Sequence, residues 1–299
     1  MTKDEVAREM RELQDFICAE LEKLDGAATF VEDKWERAEG GGGRTRIIES
    51  DRLIEKGGVN YSEVSGDVTP MMLGNTEIDG DSFYATGVSI VLHPNNPHVP
   101  IIHMNVRYFE MDNGTYWFGG GIDLTPHYIV PAQATHFHHS LKAICDAFNA
   151  SFYLKFKTWA DDYFYIPHRN ETRGIGGIFF DHLSANQAIS KENLLDFCME
   201  LGRSFPEIYA SQAQIGRDKP FTEEESNWMN LRRGRYVEFN LVNDRGTKFG
   251  LVSGGRTESI LMSLPKNASW AYNNQPEQGS KASETQKLLV KNIDWIKGG

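Results

Sequence analysis

The chain has 299 residues, 40% of them hydrophobic and 11% aromatic, which is enough for a sizeable packed core and too much for a disordered segment. Its 31 basic residues face 42 acidic ones, and the resulting charge of −11 argues against nucleic-acid or anionic-membrane binding, both of which need surplus Lys and Arg. No run approaches the ~18 apolar residues of a membrane span, and the three cysteines (Cys18, Cys145, Cys198) show neither CxxC nor metal-ribbon spacing. The N-terminal MTKDEVAREM has no apolar core of a secretory signal and does not resemble a transit peptide, so a cytoplasmic, reducing location is expected.

In chain order, Val6, Met10, Leu13, Ile17, Leu21 and Leu24 recur at helical spacing and predict an amphipathic opening helix. After Phe30–Trp35 comes Gly40-Gly41-Gly42-Gly43-Arg44-Thr45-Arg46. It has neither the GK[ST] ending of a P-loop nor a GxGxxG pattern, so it reads as a flexible surface loop, with a phosphate cradle as the other reading. Val88, Ile90 and Leu92 alternate with Ser89, Val91 and His93, and a Pro/Asn-rich turn (HPNNPHVP) leads into a second alternating run. There His103, Asn105 and Arg107 interleave with apolar Ile102, Met104, Val106 and Tyr108, which predicts a half-buried strand with one polar face. A hairpin between the two runs would add Ser89 and His93 to that face.

A third strand is predicted through Thr115–Phe118, followed by Gly119-Gly120-Gly121 and Asp123. These glycines allow a bulky ligand to approach the backbone, Trp117 and Phe118 offer flat apolar surface, and Asp123 is able to accept hydrogen bonds from ligand N–H groups. The stretch HFHHSLKAICDAFN predicts a helix with a Phe137, Leu141, Ile144, Cys145, Phe148 stripe, His138 at its edge and His136 and His139 towards solvent. The adjacent pair Asp161-Asp162 reads as solvated surface. Residues 174–181 predict a short strand and 189–213 a helix. YVEFNLV and TKFGLV, joined by Asn243-Asp244-Arg245-Gly246, predict an antiparallel hairpin, ESILMSLP a further strand, and the polar tail a short terminal helix. Strands come in neighbouring runs without regular βα alternation and no linker interrupts them. The expectation is one α+β domain over 1–299 with a large antiparallel sheet.

All nine histidines fall between His93 and His182, under a third of the length, and locate the chemistry. His103 has a side-chain type suited to proton transfer beside Asn105 and Arg107, a pattern fit for an anionic, hydrogen-bonding ligand, and is equally readable as a satisfied core histidine. His93, His103, His138 and His168 are candidate metal ligands, although no HExxH or other local chelate is present. In Ser253-Gly254-Gly255-Arg256, glycine N–H groups and a guanidinium together suit a carboxylate. The residues alone thus lead to an anion-binding, aromatic-lined pocket with an acid/base histidine.

Five strings, SIVLHPNNPHVPIIHMNVRYFE, YWFGGGIDLTP, HRNETRGIGGIFFD, YVEFNLVNDRGTKFGL and GGRTESILMSLP, closely resemble the oxygen-dependent coproporphyrinogen III oxidases, in that family's order and over about Phe30 to Trp270. The resemblance implies a large antiparallel sheet sandwiched between helices, a homodimer with the YVEFNLV segment at its contact, and heme biosynthesis. The implied reaction is oxidative decarboxylation by O2 of the ring A and B propionates of coproporphyrinogen III, giving protoporphyrinogen IX. It also implies substrate contacts at Ser89, Asn105, Arg107, Gly254, Gly255 and Arg256, His103 as proton donor, and Asp123 as the carboxylate facing the pyrrole N–H groups. The family is usually cofactor-free, while His93, His103, His138 and His168 match histidines discussed as ligands of a divalent metal in some bacterial members. The chain departs from some members in a shorter Arg107–Trp117 connection and in lacking a mitochondrial presequence. A metal-dependent oxygenase and a non-catalytic tetrapyrrole-binding protein are the alternatives.

Overall fold

The opening helix forms as its periodicity predicts. In a computed structural model, which describes residues 1–38, 40–68, 80–252 and 255–297, α1 (Lys3–Asp25) begins with a Thr2/Glu5 capping box and ends at left-handed Gly26. Its Val6, Met10, Leu13, Ile17 and Leu21 stripe is buried.

The stripe lies on an antiparallel meander of β1 (Val31–Glu36), β2 (Gly41–Ile48), β3 (Ile54–Asp67), β4 (Ser82–Pro94), β5 (Ile101–Met111) and β6 (Tyr116–Thr125). The chain then makes a helical excursion through α2 (Pro131–Phe148) and α3 (Phe152–Tyr163). A two-stranded hairpin of β7 (Tyr165–Ile166) and β8 (Glu171–Thr172) follows, before β9 (Gly177–Leu183) pairs antiparallel with β6. The sheet order is therefore β1-β2-β3-β4-β5-β6-β9. Beyond it come α4 (Lys191–Ala213), α5 (Glu223–Glu238), a π-helical turn Phe239–Asn243, α6 (Arg245–Val252), α7 (Thr257–Leu261) and α8 (Lys281–Lys287).

Alternation along the strands makes the two sheet faces chemically different. One carries Val88, Ile90 and Leu92 of β4, Ile102, Met104, Val106 and Tyr108 of β5, and Phe118 and Ile122 of β6, all packed into the main core with residues of α1, α2 and α4. Each fully buried Val, Leu, Ile or Phe there contributes roughly 1.5–3 kcal/mol. The other face carries Ser89, His103, Asn105, Arg107, Gly119, Gly121 and Asp123, and α5, the π turn, α6 and α7 close over part of it. Helix α3 passes the β9 edge, so Phe156 packs into the main core while Tyr163 and Phe164 reach the second face against Phe179. The α+β architecture with helices on both faces is thus as expected. Among the described residues no helix is long and apolar enough to cross a membrane.

Four local expectations are corrected. Gly41–Arg46 is strand, pairing with both β1 and β3, because its polar side chains find partners: Arg46 meets Glu32 and Asp15. The hairpin expected at 236–252 is helical. Within YVEFNLV the buried positions are Tyr236, Phe239 and Asn240, at i, i+3 and i+4, so burial on a helical period overrides β propensity. Asp244 caps α6 through the Thr247 N–H and does not turn a hairpin. The strand expected at Glu258–Pro265 begins as α7. Finally, only Asp162 is solvated; Asp161 is buried against Lys157 and the Asn292 N–H.

Candidate active site

The β4–β5 register sets the site. Ser89 lies opposite Asn105, Val91 opposite His103 and Gly87 opposite Arg107, so Ser89 and His93 do share the His103 face. In turn β5–β6 pairing sets Asp123 opposite His103, Gly121 opposite Asn105 and Gly119 opposite Arg107. The floor therefore combines polar side chains with bare backbone. At Gly119 the missing side chain leaves room for the Asp181–Arg107 pair, since a Cβ would fall 2.6 Å from Asp181 Oδ1 and 2.7 Å from Arg107 Nε and displace them.

A continuous polar chain crosses this floor. Asp181 of β9 pairs with Arg107 Nη2 at 2.9 Å, and Arg107 Nη1 donates to Asn105 Oδ1 at 3.1 Å. Asn105 Nδ2 faces His103 Nε2 at 3.4 Å, and His103 Nδ1 meets Asp123 Oδ1 at 2.8 Å. Arg173 completes the chain, with Nη2 on Asp123 Oδ1 at 2.7 Å, Nε on Asp123 Oδ2 at 3.2 Å and Nη1 on Asn240 Oδ1 at 3.3 Å. A donor Asn105 amide and an acceptor carboxylate together assign the His103 proton to Nδ1 and make Nε2 the acceptor of the Asn105 amide.

Burial grades along the chain. Arg107 is 40% exposed and His103 17%, whereas Asp123 is 1% and Arg173 2% exposed. Arg173 lies within 4.6 Å of the ring centres of Phe164, Tyr236 and Phe239, a cage that removes water and holds the guanidinium by its faces. Burial alone would raise the Asp123 carboxyl, but the Arg173 charge and the His103 hydrogen bond outweigh it and hold it below the usual carboxylate range. Likewise Arg173 loses charge stability through burial and regains more from Asp123, so it is raised. The site holds a buried ion pair beneath a histidine that is still reachable.

Both Asp123 oxygens are engaged by protein groups, and the carboxylate lies behind His103. Ser89, His103, Asn105 and Arg107 are gathered on one accessible floor. Arg256 pairs with Asp33 of β1, at the opposite edge of the same sheet face. Gly255 donates its N–H to the Gly250 carbonyl, and Gly254 lies outside the described residues. Covering segment α7 is tied to β2 and β3 by Thr45–Ser259 and Asn60–Ser259 hydrogen bonds. Gly58 makes room there for Met262, whose Sδ would meet an added Cβ at 2.1 Å.

The four candidate metal histidines are kept apart. His93 is buried with Nε2 on the Ser263 carbonyl; His138 lies on the main-core side, bridging Tyr153 Oη and the Ile175 carbonyl at 3.0 Å each. His168 meets Glu238 at 2.9 Å. Among the described residues no three His, Cys, Asp or Glu side chains converge on a metal position. The donor set does not fit a shared ion.

Arg173, one of several arginines that the sequence offers for anion recognition, belongs to the arrangement through Asp123, and Asp181 and Asn240, which the sequence does not single out, belong to it too. Asp181 had a signal, since GIFFD reads as a strand whose last acid would face Arg107 once β9 pairs with β6. The protein-family model described as coproporphyrinogen III oxidase matches residues 5–295.

Proposed function

This chain belongs to the coproporphyrinogen III oxidase family, and on that premise we propose that it performs the oxygen-dependent reaction, converting the ring A and B propionates of coproporphyrinogen III to vinyl groups. Family membership makes it an enzyme of heme biosynthesis acting on coproporphyrinogen. The observation that carries the finer reading is the Asp181–Arg107–Asn105–His103–Asp123–Arg173 chain across the glycine-lined, partly open sheet face.

In this reading Arg107 receives a propionate, since a half-exposed guanidinium suits a carboxylate that arrives from water. Asn105 and Ser89 hydrogen-bond the ligand on the glycine-floored middle of the sheet. The reduced macrocycle is electron-rich and delivers electrons to O2 directly. Each turn consumes one propionate, one O2 and one proton. The C–CO2 bond pair becomes the new C=C bond, a hydrogen with its two electrons leaves the ring-attached carbon for O2, and CO2 and H2O2 depart. His103 exchanges the proton through Nε2, its tautomer held by Asp123, while Arg173 keeps Asp123 ionised. No metal or organic cofactor is needed in this scheme.

The enzyme is further proposed to be a cytoplasmic homodimer. Leu241, Val242, Leu251 and Val252 are exposed along the π turn and α6, an apolar strip that a second copy would cover.

The test is to load chelator-treated, metal-analysed enzyme anaerobically with coproporphyrinogen III, admit O2, and follow CO2 and product. About two CO2 per substrate, following from two propionates each losing one CO2, with no stoichiometric metal supports the proposal. Turnover that returns only with added metal favours a metal-dependent oxygenase, and binding without turnover favours a tetrapyrrole carrier.

A further inference from the structure

The outer end of the same floor has a feature that the reaction scheme does not use. Between Phe118 and Gly120 the β6–β9 register shifts, so Asp181 and His182 both fall against Gly119. Such bulges re-aim side chains and concentrate beside functional sites. His182 accommodates the bulge in the left-handed region, φ 48°, an unusual conformation for a residue with a side chain. Its N–H donates to Asp181 Oδ1 at 3.0 Å, and Asp181 in turn holds Arg107. The imidazole is exposed and stacks on Trp117 at 4.8 Å between centroids. Trp117 stacks on Phe109 at 4.3 Å, and Phe109 on Phe83 at 5.5 Å. A rail of rings therefore lies across four strands at the open end of the floor, two residues beyond Arg107 on β5, with a histidine at its tip.

Nothing in the packing demands that histidine. It is solvent-exposed and it sits where a glycine or asparagine would be relaxed. What its position does supply is a flat apolar surface continued by an N–H donor, next to a guanidinium. That combination matches one pyrrole ring together with its carboxylate arm.

We propose that His182, aimed by the bulge and stacked on Trp117, is a specificity-determining residue that holds a non-reacting, propionate-bearing ring of the substrate while another propionate lies at His103. From His103 to Phe109 β5 rises about 20 Å, at ~3.4 Å per residue, so the two ends of the floor accommodate different edges of one macrocycle. This inference rests on the tetrapyrrole reading of the same cleft.

The experiment compares wild type with H182A, H182G and H182N. It reads KM and kcat for coproporphyrinogen III, Tm, and fluorescence-monitored affinity for the oxidised, unreactive coproporphyrin III. H182A and H182G are expected to raise KM and weaken coproporphyrin binding by about tenfold, the scale of one lost charge-assisted hydrogen bond, with kcat within about twofold. H182G should also raise Tm, having lost the backbone strain, and H182N should recover part of the affinity. Unchanged KM and affinity alongside a shifted Tm would make His182 merely structural and overturn the proposal. If wild type binds coproporphyrin III without turnover, the proposed reaction fails, yet the affinity series still decides the role of His182. If wild type binds neither form, both readings fall.

Discussion

Lowering the pH from 7 to 5 should destabilise this fold through its fully buried histidines. Burial drives His93 down to about 3 and His138 down to about 4, and it drives His127 well below the ordinary imidazole value. The geometry agrees with neutral rings: His138 donates from Nε2 to the Ile175 carbonyl and accepts from the Tyr153 hydroxyl, while His93 Nδ1 has no partner that would receive a proton's hydrogen bond. A folded-state value below the unfolded ~6.5 means the unfolded chain binds more protons, so stability falls as pH drops through 6.5 and stops falling below the folded value. At pH 5 each such group has titrated ~1.5 units past its unfolded value, which at 1.36 kcal/mol per unit costs about 2 kcal/mol. His93 and His138 together then remove about 4 kcal/mol, and His127 acts in the same direction. Against a total of ~5–15 kcal/mol this is a large loss. The assay is urea unfolding at pH 7 and pH 5 for wild type and His138→Gln, whose amide donates and accepts without titrating. The substitution should shrink the pH-dependent difference by about 2 kcal/mol. An identical difference in both proteins would refute the reasoning.

Four further outcomes are expected. Asp123→Asn should cut kcat by roughly 10²–10⁴, the range of lost general acid–base assistance, while ligand affinity changes only a few-fold; an unchanged kcat would remove the pair from the chemistry. The same variant leaves Arg173 as a buried uncompensated charge and should cost ~3–5 kcal/mol in denaturant unfolding, and a neutral effect would mean the ion pair is already hydrated. Arg107→Ala should raise KM by about tenfold or more with kcat retained, as expected for a lost carboxylate contact, and normal substrate affinity in direct binding would reject the role. Leu241→Asp with Val242→Asp should yield monomers by light scattering if the apolar strip of the π turn and α6 is the dimer contact. A dimer that survives both changes places the interface elsewhere.

Why was one half of the site legible in the sequence and the other not? His103, Asn105 and Arg107 stand on one strand at period two, so their common face follows from backbone geometry alone, and a short Pro/Asn turn made the pairing with Ser89 foreseeable. Asp123 was marked by its glycines, but its partner was not, because Arg173 arrives 50 residues later from the turn before β9. Its side chain reaches Asp123 only through the rings of Phe164, Tyr236 and Phe239, which come from two helices and a π turn. The segment carrying Tyr236 and Phe239 was itself read as a hairpin, since YVEFNLV alternates apolar and polar residues as strands do. Only the tertiary fact that Tyr236, Phe239 and Asn240 are the positions facing inwards reveals its helical period. That misreading hid the second wall of the site. With the helix in place, the carboxylate expected to meet ligand N–H groups is covered, and in the proposed reaction the more exposed imidazole above it is the group nearer the cleft. The buried Arg173–Asp123 pair is then best understood as the device that fixes which nitrogen of His103 faces the cleft.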